Sequence, residues 1–245
     1  MLIIHYHITH HAGTTFWRIA NKNINEFGKG INGTMTDINI YASEEDWNKY
    51  VNKIVNCKWV NIEEPLPINV SIPNSVKNIS WVITIRNPLN RLLSGDGRMN
   101  DFPEIKESAN YINWINHQNN QNYSLRWLCG KSKLLTIDDL EFAKKRLKKF
   151  DIIMVVEDLN NSYKILEKVF NWKYTEIEKK NYEDPKIKIN NDLEYENFIK
   201  RNILDIKLYI YGLQLALECY EKYGIKTDNL KKICLNTQMT FNKYF

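Results

Sequence analysis

The strongest constraint on this chain lies at its start. Ile3-Ile4-His5-Tyr6-His7-Ile8 is an apolar run of strand length, and Thr9-His10-His11-Ala12-Gly13-Thr14-Thr15 follows it directly. A run this apolar suits a strand buried on both faces of a parallel sheet. Residues 16–25 then read as a helix. A strand, a short loop with one glycine and two threonine hydroxyls, and a helix together make an anion site. The loop amides and the helix N-terminus converge on one point, and the hydroxyls add donors. Residues 10–15 are therefore the first candidate for holding a phosphorylated ligand.

The rest of the chain repeats this alternation. Further strands are expected at residues 58–62, 81–85 and 152–156, with a short one at 34–40. Helices are expected at 44–56 after Ser43, from Pro88 onward, at 162–170 and at 203–223. Gly28, Gly30 and Gly33 mark a turn region, and the prolines at 65 and 67 break the strand before them. Strands alternating with helices predict an α/β architecture with a central parallel sheet. No internal repeat or low-complexity linker divides the chain, so one domain over residues 1–245 is expected. The polar, poorly periodic residues 96–122 read as an insertion or a lid.

Charge and cysteine usage exclude several classes. A net charge of +5 suits an anionic ligand but lacks the concentrated basic face of a nucleic-acid binder. The densest basic run, Lys144, Lys145, Arg146, Lys148 and Lys149, reads as a solvated helix face. Cys57, Cys129, Cys219 and Cys234 are scattered without a CxxC pair, which argues against structural zinc and favours buried thiols. His5 and His7 share one strand face but lack a carboxylate or thiol companion, so no metal is expected. No basic n-region precedes the first strand and no segment reads as a membrane span. A soluble, cytoplasmic chain is the expectation.

A second motif narrows the ligand. Residues 10–15 contain no lysine, so they are not the Gly-x-x-x-x-Gly-Lys-Ser/Thr loop of an ordinary ATPase or GTPase. Trp81-Val82-Ile83-Thr84-Ile85-Arg86-Asn87-Pro88-Leu89-Asn90-Arg91-Leu92-Leu93-Ser94 puts Arg86 at the carboxyl end of a strand, with Ser94 about two helical turns beyond. Ligands of open α/β sheets bind at that edge. Arg86 can fork onto a phosphate and Ser94 can add a hydroxyl. Two anion-binding devices suit a ligand with phosphates at two positions.

The pair HITHHAGTTF and IRNPLNRLLS resembles the two cofactor signatures of sulfotransferases that use 3′-phosphoadenosine 5′-phosphosulfate (PAPS). The likeness is nearest to carbohydrate sulfotransferases of the 2-O/6-O type, with loop HxxKTGGTT and second motif RxPxxRxxS. Fainter likenesses follow at residues 122–130, 150–159 and 205–211. The resemblance implies a three-layer P-loop NTPase-like fold with a central parallel sheet flanked by helices. It implies that His10, His11, Ala12, Gly13, Thr14 and Thr15 hold the 5′-phosphosulfate. It implies that Arg86 and Ser94 hold the 3′-phosphate, with Arg126 near the adenosine. The partner would be a hydroxyl-bearing acceptor of glycan type, without metal. His10 stands where the family has a lysine that steadies the bridging oxygen; an imidazole can donate a hydrogen bond there, with shorter reach.

Sulfuryl transfer also needs a group to take the acceptor's proton. In the resembling enzymes a His or Glu ends the strand before the arginine motif. Here Glu63 and Glu64 follow the strand at 58–62, and alternation lets only one face a pocket. Glu64 is slightly favoured; exposed loop carboxylates are the competing reading. Glu157 ends a later strand, where it would approach an adenine or cap the following turn. Trp114 and Trp127 would stack on an acceptor or fill the core. Non-catalytic binding of PAPS, another nucleotide or a sulfated glycan is the alternative, and a nucleotide kinase a weaker one.

Overall fold

The computed structural model describes residues 1–24, 31–33, 57–62, 78–94, 121–131, 134–173 and 192–245. Among the described residues five strands form one sheet: β1 (Leu2–Tyr6), β2 (Ile31–Gly33), β3 (Trp59–Ile62), β4 (Ile79–Ile85) and β5 (Ile152–Val155). Their spatial order is β2-β3-β1-β4-β5, and every neighbouring pair is parallel. Ile3 lies opposite Trp59, His5 opposite Asn61, and Tyr6 opposite Ile83. All five residues of β1 are buried, as expected for the central strand of a sheet covered on both faces.

Parallel strands cannot be joined by tight turns, and the helices of the described residues lie between the strands and after β5. They are α1 (Gly13–Ile24), α2 (Pro88–Ser94), α3 (Tyr123–Cys129), α4 (Ile137–Leu147), α5 (Leu159–Phe170), α6 (Asp192–Arg201), α7 (Ile203–Lys222) and α8 (Asp228–Phe241). Side-chain alternation along β1 assigns the two faces. His5 stacks on Phe16 of α1 at 4.0 Å between ring centroids. Tyr6, on the opposite face, meets Trp127 of α3 and Phe150, and its hydroxyl donates to the Trp127 carbonyl at 2.8 Å. The molecule is thus α/β, with an all-parallel sheet flanked by helices.

The main core runs through the sheet, with Ile4, Tyr6, Val60, Ile62, Val82, Ile83, Ile152 and Val155 all buried. A smaller apolar cluster, Leu92, Phe198, Ile199, Ile206 and Phe241, ties α2 to α6, α7 and α8. Gly212 lets α7 approach the end of β4: a Cβ there would lie 2.8 Å from Ile85 Cδ1.

Expectation and structure differ in places. β1 ends at Tyr6 rather than residue 8: the His7 amide still bonds the Ile62 carbonyl, and the chain then turns, with the His11 amide on the Ile8 carbonyl. α1 starts at Gly13, inside the loop as read from sequence. Gly33, expected in a turn, lies in β2. α3, α6 and α8 are not among the expected helices, and of α4 only its basic end from Lys144 is. The strand expected at 34–40, the helix at 44–56 and most of the polar segment at 96–122 fall outside the described residues. No helix among the described residues is long and apolar enough to cross a membrane.

Candidate anion site at the carboxyl edge of the sheet

Three strand ends meet here. β1 leads into residues 7–12, β3 ends beside it, and β4 delivers Arg86 on its other flank. The loop is first pinned to the sheet, where the His7 amide donates to the Ile62 carbonyl at 2.8 Å. The His11 amide then closes a turn on Ile8, and Thr15 and Phe16 donate to the Ala12 carbonyl as α1 begins. His10 and Ala12 have φ of 67° and 63°. For residues with a Cβ this left-handed conformation costs on the order of 1–2 kcal/mol each, and such strain collects at functional sites.

The imidazole of His7 lies against the start of α1. Its Nε2 accepts the Gly13 amide at 3.0 Å. The ring lies so close that a Cβ on Gly13 would come within 2.2 Å of its atoms. Gly13 is therefore required by contact, and one amide of the helix N-terminus is engaged by a side chain of the same loop. The sequence signals glycine here but not this partner.

Arg86 brings the two motifs together. Its Nη1 donates to the His10 carbonyl at 2.8 Å, across the gap between β4 and the loop. The backbone beyond it is clamped. Glu157, at the end of β5, accepts from the Asn87 amide at 2.9 Å and the Asn90 side chain at 3.1 Å. Its other oxygen accepts the Tyr209 hydroxyl of α7 at 3.0 Å. Asn87 Oδ1 accepts the Leu89 amide at 2.9 Å and so caps the first turn of α2. Glu157 therefore fixes the turn that follows the neighbouring strand β4.

α7 also secures α3. Asp205 is buried and accepts the Ser124 amide at 3.0 Å and the Leu125 amide at 2.7 Å. Asn122 accepts the Asp205 amide in return, and Asn202 accepts the Asn122 amide. Arg126 projects from α3 with Nε donating to the Gln121 carbonyl at 2.8 Å. Arg91 is buried, with its guanidinium 3.4 Å from the centroid of the Tyr123 ring. Trp127 is buried against Tyr6 and Tyr123, so it is a core residue rather than a stacking platform.

Two of the buried histidines, His5 and His11, have lowered pKa values. Burial, aided by neighbouring His7, lowers the His5 pKa to about 3 against an opposing hydrogen bond to Asn61. His5 Nδ1 donates to Asn61 Oδ1 at 2.6 Å, and the Thr84 hydroxyl donates to Nε2 at 3.0 Å, a satisfied polar row across three strands. Burial also holds the His11 ring well below its ordinary value, against a bond to the Thr9 carbonyl and with help from Arg91 and Arg86. Desolvation raises the Asp205 carboxyl and outweighs its two amide donors.

Of the residues named from sequence, His10, His11, Ala12, Gly13, Thr15 and Arg86 converge at this edge, with Arg126 on α3. Glu63, Glu64 and Trp114 lie outside the described residues, as do the side chains of Thr14 and Ser94. Glu63 follows β3 by one residue, and β3 pairs with β1. Among the described residues no three His, Cys, Asp or Glu side chains gather as metal ligands would. Cys129 and Cys219 are buried thiols, while Cys57 and Cys234 are half-buried.

The chain matches no family model and no curated protein.

Proposed function

We propose that the protein is a PAPS-dependent sulfotransferase with a P-loop-like sheet, acting on a hydroxyl of a carbohydrate. One observation carries the reading: the Arg86 guanidinium meets the His10 carbonyl, joining the two motifs at adjacent parallel strands. A ligand bearing phosphate at both ends of an adenosine needs such paired devices at one sheet edge.

The residues fit such a ligand in part. The N-terminus of α1, the loop backbone and a permanent guanidinium all favour an anion. The Gly13 amide is engaged by His7, and its use by an anion requires that imidazole to give way. PAPS, when bound, supplies the sulfuryl group. The acceptor oxygen would bond to sulfur as the bond to the bridging phosphate oxygen breaks, and the electron pair would stay on that phosphate. Glu64 or Glu63 would take the hydroxyl proton, from a chain position just beyond β3. The loop and the second motif would orient the anion and balance its charge.

The test is a binding and transfer series. Adenosine 3′,5′-bisphosphate should raise the melting temperature and ATP should not; the reverse pattern would refute the reading. Labelled sulfate should pass from PAPS to a glycan, with loss of transfer in Glu64→Gln or Glu63→Gln. Binding without transfer to any acceptor in a panel would favour a second reading, a nucleotide- or glycan-binding protein, for which the engaged Gly13 amide is the supporting observation.

A further inference from the structure

We infer that α8 and the outer side of α7 form a docking face for a lipid bilayer rich in anionic headgroups. The face is built from other residues than the anion site.

The inner side of α8 packs Leu230, Thr237 and Phe241 into the protein. Its outer side leaves Leu235 56% and Met239 69% exposed, one helical turn apart, and Phe245 just beyond the helix is 53% exposed. A single exposed apolar side chain needs no explanation, but a line of them marks an interaction surface. Beside Leu235 runs a groove of about 240 Å³, with Ile210, Leu213 and Leu217 of α7 along one wall and Cys234 and Leu235 along the other. Lys207, one turn before Ile210, lies over the Phe245 ring at 5.2 Å, which places Phe245 at the Ile210 end of the groove.

Lysines border this apolar line. Residues 229–245 hold Lys231, Lys232 and Lys243 and no acid. Lys231, Leu235 and Met239 follow at intervals of four, so a cation stands on the same helix face as the two apolar chains. Lys243 sits over the Tyr244 ring at 4.9 Å. The acids around them are accounted for. Asp228 opens α8, and Glu218 and Glu221 lie in the last turns of α7. Glu221 reaches Lys231 at 3.8 Å, an exposed pair worth little, and Glu196 of α6, which faces Lys243, lies 3.9 Å from Lys200. Apolar tips with ammonium groups beside them match the layering of a membrane surface. There the apolar side chains enter the acyl boundary and the lysines stay with the anionic headgroups. A second copy of the chain fits worse. A two-fold contact through this face would set lysines against lysines, with no acid in residues 229–245 to receive them.

Co-sedimentation of the full chain with vesicles tests this. Vesicles of phosphatidylcholine with about 30% phosphatidylserine should bind the chain at low salt, and phosphatidylcholine alone should not. Raising the salt to about 0.5 M should weaken binding by roughly 10-fold. Lys231→Gln with Lys243→Gln should weaken it by roughly 10- to 30-fold. Leu235→Ser with Met239→Ser should weaken it by roughly 10-fold. These side chains are exposed, so both double variants should melt like the wild type. Lys145→Gln with Lys149→Gln, on the exposed end of α4 and the turn after it, should leave binding within about twofold. Equal binding to both vesicle types, no binding to the anionic ones, or an equal loss in the Lys145 and Lys149 variant would overturn the inference. A dimer by light scattering that dissociates in Leu235→Ser with Met239→Ser, and that does not sediment with vesicles, would assign the face to a second copy and overturn it as well.

Discussion

Two strand-to-helix turns stand side by side at the carboxyl edge, one after β1 and one after β4, and they are built in opposite ways. The β4 turn is short and conventional. Proline opens the helix, Asn87 caps it, and Glu157 takes the exposed amide from the next strand. The β1 turn places His10 and Ala12 in left-handed conformations without glycine and packs an imidazole onto its one glycine. The first turn is a scaffold whose polar groups are satisfied from outside. The second stores conformational strain and offers backbone and imidazole groups at short range.

Four changes would break or sharpen this contrast. The largest effect should come from Gly13→Ala. The added methyl would enter the space of the His7 ring, and its expulsion should cost about 3 kcal/mol, read as a lower urea midpoint. An unchanged midpoint would show that the ring is not held there.

Acid should come next. His5 and His11 have folded-state pKa values below their ordinary 6.5, so the unfolded chain binds more protons as pH falls. Stability should decline below about pH 6.5, and for His5 the decline continues to about pH 3. His5 alone should account for about 2 kcal/mol between pH 7 and pH 5. Asp205, whose carboxyl is raised, acts in the other sense and regains stability only as it protonates. Unfolding free energy that is flat from pH 7 to pH 5 would contradict the buried neutral histidines.

Glu157→Ala should cost about 1–2 kcal/mol, because it leaves the Asn87 amide and the Tyr209 hydroxyl without their acceptor. It should also loosen the β4 turn, seen as faster amide exchange in α2. The smallest effect should be a gain. Ala12→Gly relieves a left-handed Cβ and should stabilise by about 0.5–1 kcal/mol after the added flexibility of glycine in the unfolded chain. A loss instead would mean that Ala12 does not hold its positive φ.

Much of the sheet was legible because its strands are apolar runs at helix-separated intervals, and a parallel sheet covered on both faces needs them. Ile152 to Val155 and Trp59 to Ile62 are examples. Helix α4 carries a readable start signal, for Thr136 and Asp139 form a reciprocal capping box. Helix α3 carried almost none. It spans seven residues, and its start is satisfied by Asp205 and Asn202, some 80 positions away. The loop and Arg86 were legible as residue types at strand ends. The His7 ring on Gly13 and the Glu157 clamp were not, because each depends on which strands become neighbours and how far a side chain reaches.

The reciprocal contacts between α3 and α7 have a dynamic consequence. The first amides of α3 are closed by Asp205, and an amide in the first turn of α7 is closed by Asn122. A seven-residue helix does not persist alone in water, so α3 exists only while the start of α7 is formed. The two should open together. Their amides should exchange with solvent at one common rate, as a single cooperative unit, so an event that frays α3 would be felt at the first turn of α7.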